Sequence, residues 1–393
     1  MDSEIRSLTG LRGIAALLVA ILHIHQPGGD NWISAFFRHG YLAVDLFFVL
    51  SGFVMALTYG SMFEQGFSGK AYGTFLAKRL ARIYPLYFLV TGTIAVIGVV
   101  ADVQSVQGRS FVGVVFMNLA MVQAWGMAPS LMPVAWSIST EWAAYLLFPL
   151  LATSILRGRA SNLCILIAIS AASIAALAHN NSHFMGSTET GGYGPLDITR
   201  FDSFGPLVRC IASFSLGIVA YRLRGVSSVR KWLGNSKASM LLCIAAVSAA
   251  CIPGTDPYVV MIFPALVASL SLQTSTVSMF LSGKAAYSLG LWSYSIYLVH
   301  RPFGPIQAVI AEQLSTFLPW GASILASGLT LAVVLVVSAT TYATIEKPCR
   351  SLLQSILGIR AGDMSNGVPT PTRGHPNMRQ SGMGDSPIDG IRE

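Results

Sequence analysis

The chain has 393 residues, 53% of them apolar and only 11% charged, about half the charged share of a soluble protein, which excludes a soluble enzyme. Its net charge of +8 does not point to nucleic acid, because the cations collar apolar runs instead of clustering on one patch. Five scattered cysteines (Cys164, Cys210, Cys243, Cys251 and Cys349) without a CxxC spacing argue against a disulfide framework and a zinc site, and no metal centre is expected.

Several apolar runs approach the roughly 20 residues of a spanning helix. Ten spans are predicted, at roughly 9–25, 41–59, 83–101, 136–156, 162–179, 203–221, 239–253, 257–274, 288–311 and 320–344. Between them, sixteen Lys and Arg fall on the side of the N-terminus and three (Arg38, Arg109, Arg200) on the other, so both termini are expected in the cytoplasm. The expected fold is all-α: a polytopic membrane domain over 1–350 and a disordered cytoplasmic tail over 351–393.

The first span, LTGLRGIAALLVAILHIH over 8–25, holds Arg12 and His23 eleven residues apart. On a helix that is about 16 Å along the axis and about 20° from whole turns, so both leave from one face. Ionisable groups inside a span are costly and face a polar interior. Arg12 is expected to meet an anionic donor near the inner face, and His23 to do chemistry toward the outer side. His25, about 200° further round, points elsewhere.

The second span, GYLAVDLFFVLSGFVMAL over 40–57, carries Asp45 near its outer end, suited to substrate contact or to a structural ion pair. Ser51 and Gly52, at mid-depth, are donor-binding candidates with close helix packing as their alternative role. AKRLARIYPLYF over 77–88 places Arg79 and Arg82 on one helix face where the chain enters the membrane. They are either an ordinary basic collar or a phosphate clamp, since the arginine fork matches phosphate oxygens.

Phe111 to Trp125 is apolar, but as a full span it would invert every later loop, so a re-entrant or interfacial helix is expected there. MPVAWSISTEWAAYLLFPLL over 132–151 buries Glu141, whose natural partner is a histidine that it would orient. Residues 180–200, polar and Gly/Ser/Thr-rich, are expected as an outer loop, either a substrate lip or a connector. Arg209 in the sixth span needs an anion, from Asp45, Glu141 or a substrate. In YSLGLWSYSIYLVHRPFGPI over 287–306, Tyr294, Tyr297 and His300 sweep one face and Arg301 follows; Tyr294, His300 and Arg301 are substrate-binding candidates. TIEKPCR over 344–350 places Glu346 at an inner helix end, as a cap or structural pair.

Taken together, the Arg-x10-His of the first span, GYLAVDLFFVLSGF, the Arg79-x-x-Arg82 block before Tyr84-Pro85, WSISTE, SYSIYLVH and IEKP resemble the integral-membrane acyltransferase 3 family, from about Thr9 to Arg350. The resemblance implies an O-acyltransferase of the bacterial inner (plasma) membrane. Acyl-CoA, commonly acetyl-CoA, is then a cytoplasmic co-substrate, with no permanently bound cofactor. It implies His23 as the essential base, Glu141 as the motif glutamate, and Arg12, Arg79 and Arg82 on the donor side. The implied acceptor is a hydroxyl of a cell-surface, exported or lipid-linked glycan, and Arg301 suggests an acidic one. Val299 and Arg301 stand where many members carry tryptophans. Any second transfer step, which some members perform with an extracytoplasmic hydrolase-like domain, is expected to need a partner protein. Expected partners are acyl-CoA, the glycan and membrane lipid, with no nucleic acid; a homo-oligomer is left open. The rival from another class is a transporter or flippase whose path uses the same polar residues.

Overall fold

The computed structural model describes residues 4–25, 31–63, 66–179, 193–197, 203–273, 275–318 and 320–357. In chain order the helices are α1 (Arg6–His25), α2 (Trp32–Arg38), α3 (Ala43–Tyr59), α4 (Gly69–Val100), α5 (Phe111–Leu119), α6 (Trp136–Arg157), α7 (Ala160–His179) and α8 (Gly205–Leu223). There follow α9 (Ser227–Leu233), α10 (Ser236–Ala250), α11 (Asp256–Ser271), α12 (Thr276–Leu281), α13 (Lys284–Val299), α14 (Phe303–Ser315), α15 (Ala322–Thr341) and α16 (Lys347–Ile356). The only strands among the described residues are a two-residue antiparallel pair, Ser105–Val106 with Arg109–Ser110.

Seven helical stretches are long and apolar enough to cross a membrane, and the chain is an all-α polytopic membrane protein. They are Arg6–His25, Trp32–Phe63, Gly69–Val100, Pro133–Arg157, Ala160–His179, Gly205–Leu223 and Ala322–Ile356. The outward faces are apolar, as contact with lipid requires: Val96 and Val100 on α4, Ile165 and Ile169 on α7, Ile324 and Val336 on α15 are all exposed. The three remaining predicted spans are helical but shorter or broken. The run 239–253 is α10, which bends by 72° from α9, and 257–274 is the 16-residue α11. The run 288–311 breaks at His300–Pro302 between α13 and α14, where the proline has no N–H to continue the ladder.

Three other boundaries differ from the expected ones. Helix α4 starts at Gly69 and runs 32 residues, about 48 Å, so Arg79 and Arg82 sit well inside a helix and not in a collar before it. Phe111–Trp125 is the nine-residue α5 and then a turn, with Met121 at φ 56°, too short to span. It is tied to α4 by Tyr87 Oη donating to Asn118 O (2.6 Å) and to α6 by Ser139 Oγ donating to Met121 O (2.9 Å). Of the expected tail, 351–356 is the end of α16 and not coil. Residues 358–393 and most of the expected lip at 180–200 lie outside the described residues.

Two helix pairs organise the bundle through glycine. Helices in lipid have little hydrophobic drive to associate, and small residues let their backbones close up. Between α1 and α13, a Cβ on Gly290 would stand 2.0 Å from Thr9 O, and one on Gly13 2.5 Å from Gly290 N. Between α3 and α8, a Cβ on Gly52 would stand 1.9 Å from Phe214 O, and one on Gly217 2.1 Å from Val49 O. Gly52 is therefore a packing residue, which corrects its expected donor-binding role. Gly290→Val is expected to destabilise the protein by about 1–3 kcal/mol or more through overpacking. Thermal unfolding of the purified variant in detergent checks this.

Candidate active site

The close α1–α13 and α3–α8 pairs leave a gap between them, which α4, α6 and the end of α15 wall off. It is a cavity of about 360 Å³. Along α3 its lining runs from Thr58 to Val44, about 21 Å of helix. One end is framed by Glu4, Ile5 and Arg350, the other by Val44, Phe47 and Tyr297.

Four arginines line it: Arg12 from α1, Arg79 and Arg82 from α4, and Arg350 from α16. Arg79 Nη2 donates to Tyr145 Oη (3.1 Å), and its guanidinium lies 4.9 Å over that ring. Arg79 Nε is buried without a hydrogen-bond partner. Among the described residues, Arg12, Arg82 and Arg350 make no hydrogen bond or ion pair. Three guanidinium groups without protein partners around one cavity form a site for an anion with several oxygens.

The carboxylates of the cavity are Glu4, Glu141 and Glu346. Glu141 Oε1 accepts from Ser51 Oγ (2.5 Å) and Tyr145 Oη (2.5 Å), so Ser51 does belong to the cavity wall. Glu346 reaches the cavity from a widened helical turn, Tyr342–Glu346, of the kind that often marks functional positions. Its Oε2 accepts from Ser295 Oγ (3.0 Å), and its Oε1 is buried without a partner. Tyr294 lines the cavity and donates to Ile83 O (2.5 Å).

His23 is not among the lining residues and Glu141 is not its partner, which corrects the expected His23–Glu141 pair. The chain breaks after α13 just at His300, and that turns the His300 ring onto His23. His300 Nε2 lies 3.2 Å from His23 Nδ1, with the ring centroids 5.1 Å apart. The pair sits behind the end of the cavity. Tyr297 lines the cavity, and its ring centroid is 6.1 Å from that of His300. Arg301 is next in sequence, half-buried, its Nε without a partner. His25 turns away, as its angular position predicted, with Nδ1 3.0 Å from Ser327 Oγ on α15.

Asp45 and Arg209 do not line the cavity either. Arg209 Nε donates to Asp45 Oδ1 (2.9 Å) and its Nη2 to Oδ2, a two-pronged pair at 0–1% exposure. Ser213 Oγ donates to Asp45 Oδ1 (3.2 Å), and Arg209 Nη1 donates to Leu196 O (2.5 Å). Both groups are consumed by each other, so the substrate role carried for each is corrected to the structural one.

Sequence reasoning missed two members of the site, Arg350 and Tyr145, and one pairing. Arg350 was counted only as an inner cation, yet Tyr342, Glu346 and Arg350, four apart, are a helical stripe that the pattern contains. Tyr145 follows Glu141 by four residues and shares its face. The pairing of His300 with His23 carries no local signal, because the two are 277 positions apart.

A family model described as an acyltransferase domain matches residues 5–340. The chain is 32% identical over 374 residues to the acyltransferase MdmB of Streptomyces mycarofaciens, covering 88% of this chain and 92% of that protein. It is 24% identical over 379 residues to YrhL of Bacillus subtilis (strain 168), a candidate peptidoglycan O-acetyltransferase, covering 88% of this chain but 55% of YrhL, so it spans about half of that longer relative. A shorter match, 46% over 88 residues, is to protein 2 in the picA locus of Rhizobium radiobacter, covering 22% of this chain and 42% of that one. No solved structure matches the chain.

Proposed function

Since the chain belongs to the integral-membrane acyltransferase 3 family and is an enzyme that transfers acyl groups, we propose that it moves an acyl group from acyl-CoA to a hydroxyl of an exported or surface glycan, with His23 as general base. The observation that carries this reading is the cavity lined by three unpartnered arginines, with the histidine pair behind its Val44–Tyr297 end.

In this reading the end framed by Glu4 and Arg350 faces the cytoplasm. That agrees with the bias of sixteen cations to three. The three shorter or broken helical runs complete a ten-span arrangement with both ends inside, in a bacterial inner membrane. The CoA phosphates bind Arg12, Arg79, Arg82 and Arg350. The thioester arm extends along α3, and its acyl end passes Phe47 and Tyr297 to reach His23. The acceptor hydroxyl comes from the outer side. Its oxygen attacks the thioester carbonyl while His23 takes its proton, and Arg301 flanks the acceptor. The name of YrhL refers to peptidoglycan, a glycan acceptor of the class proposed here.

Hydrogen bonds to charged groups contribute about 1.5–3 kcal/mol each. Arg82→Ala and Arg350→Ala are therefore expected to weaken acetyl-CoA binding about 10- to 100-fold each, measured by calorimetry on the purified protein in nanodiscs. Unchanged affinity in both would remove the donor site from this cavity. Mass spectrometry of surface glycans from cells with and without the protein identifies the acceptor by the missing acyl group.

A further inference from the structure

We infer that His300 is the positioning partner of His23: it holds that imidazole in one orientation and accepts a hydrogen bond from its Nδ1–H while the ring carries the transferred proton. This rests on the reading of His23 as the base. Two backbone carbonyls decide the protonation pattern. A carbonyl oxygen only accepts, so the ring nitrogen facing it must carry the hydrogen. His300 Nδ1 lies 3.0 Å from Ile296 O, and His23 Nδ1 lies 2.9 Å from Val19 O. Each Nδ1 is therefore the protonated nitrogen of its ring.

His300 Nε2 is left as a bare acceptor, 3.2 Å from His23 Nδ1. The His23 Nδ1–H is thus shared between Val19 O and His300 Nε2, and His23 Nε2 is free of hydrogen. It has no hydrogen-bond partner among the described residues. This is the state in which it can take a proton.

His300 is itself held firmly. It is fully buried at the break between α13 and α14. Its ring packs near Tyr297, whose Oη donates to Val134 O (2.9 Å) and lies 2.8 Å from Ser137 Oγ. A rigid ring on a fixed backbone holds the neighbouring base in one orientation, the role usually filled by a carboxylate. The glutamate that the sequence suggested for that role is engaged with Ser51 and Tyr145.

The acceptor oxygen forms a bond to the thioester carbonyl carbon, and its proton moves to His23 Nε2. The C–S bond then breaks, and the sulfur leaves as thiolate and recovers the proton from Nε2. The products are an ester and a free thiol. Throughout, His23 Nδ1–H stays on His300 Nε2.

The test compares His300→Phe, which keeps ring volume without an acceptor, with His300→Gln, whose amide oxygen can accept from Nδ1–H. Thiol release from acetyl-CoA is followed in nanodiscs, with the host's exported glycan fraction as acceptor. His300→Phe is expected to lower kcat about 10- to 100-fold, within the 10²–10⁴ that a positioned base supplies, with KM for acetyl-CoA unchanged. His300→Gln should recover several-fold of that loss, and His300→Phe added to His23→Ala should cost nothing further. Wild-type kcat in His300→Phe, no recovery in His300→Gln, or loss confined to acetyl-CoA KM would each overturn the inference. Full turnover in His23→Ala would instead overturn the base reading on which it rests.

Discussion

His23→Ala is expected to abolish acyl transfer, by about 10²–10⁴-fold or more, while acetyl-CoA still binds. The loss follows from the deletion of the imidazole whose Nε2 is unprotonated and unpartnered beside a fixed neighbour. Binding survives because the four arginines line the cavity and His23 does not. The internal control is His25→Ala, two residues on. That ring is joined to Ser327 on α15, so its loss should cost little turnover. Labelled acetyl transfer by the two variants in nanodiscs, beside donor binding, checks this. Equal loss in both variants, or transfer retained in His23→Ala, would reassign the chemistry.

The second large effect is on stability. Asp45→Ala or Arg209→Ala leaves a charge buried at 0–1% exposure without its partner. Breaking a buried pair from one side costs about 3–5 kcal/mol, because the remaining ion has lost its water and gained nothing. Both variants should show a strongly lowered Tm in detergent. The double variant Asp45→Leu with Arg209→Met should recover most of that stability, since apolar residues of similar size replace both charges at once. Acetyl-CoA affinity of the folded fraction should not change, because neither residue touches the cavity. A normal Tm with selective loss of acceptor turnover would return Asp45 and Arg209 to a substrate role.

The same pair shows how far a sequence reads. Two opposite charges in two apolar runs had to be neutralised by something, and that much follows from the cost of charge in lipid. Whether Arg209 would meet Asp45, Glu141 or a ligand depends on which helices are neighbours, and α3 against α8 is set by Gly52 and Gly217 closing on opposing backbone. Arg12, Arg79 and Arg82 could be read because their spacing puts them on helix faces, and the cavity does collect them. Arg350 shares a four-residue spacing with Tyr342 and Glu346, but that this stripe faces the cavity follows only from the packing around the widened turn at Tyr342–Glu346.

The amino-acid sequence by itself determined that the chain is all-α and membrane-embedded, that it is an acyltransferase of its family, and that Arg12 and His23 lie on one helix. Period, apolar length and motif spacing are local properties, and they survive without knowledge of neighbours. Only the tertiary structure decided that Glu141 belongs with Ser51 and Tyr145, that Gly52 is packing, and that His300 is what His23 touches. Apart from Glu141 with Tyr145, four positions on, those are contacts between residues tens to hundreds of positions apart. They arise where the chain breaks before Pro302 and where backbones close over glycine, and hydropathy along one helix does not record which side chain waits on the next.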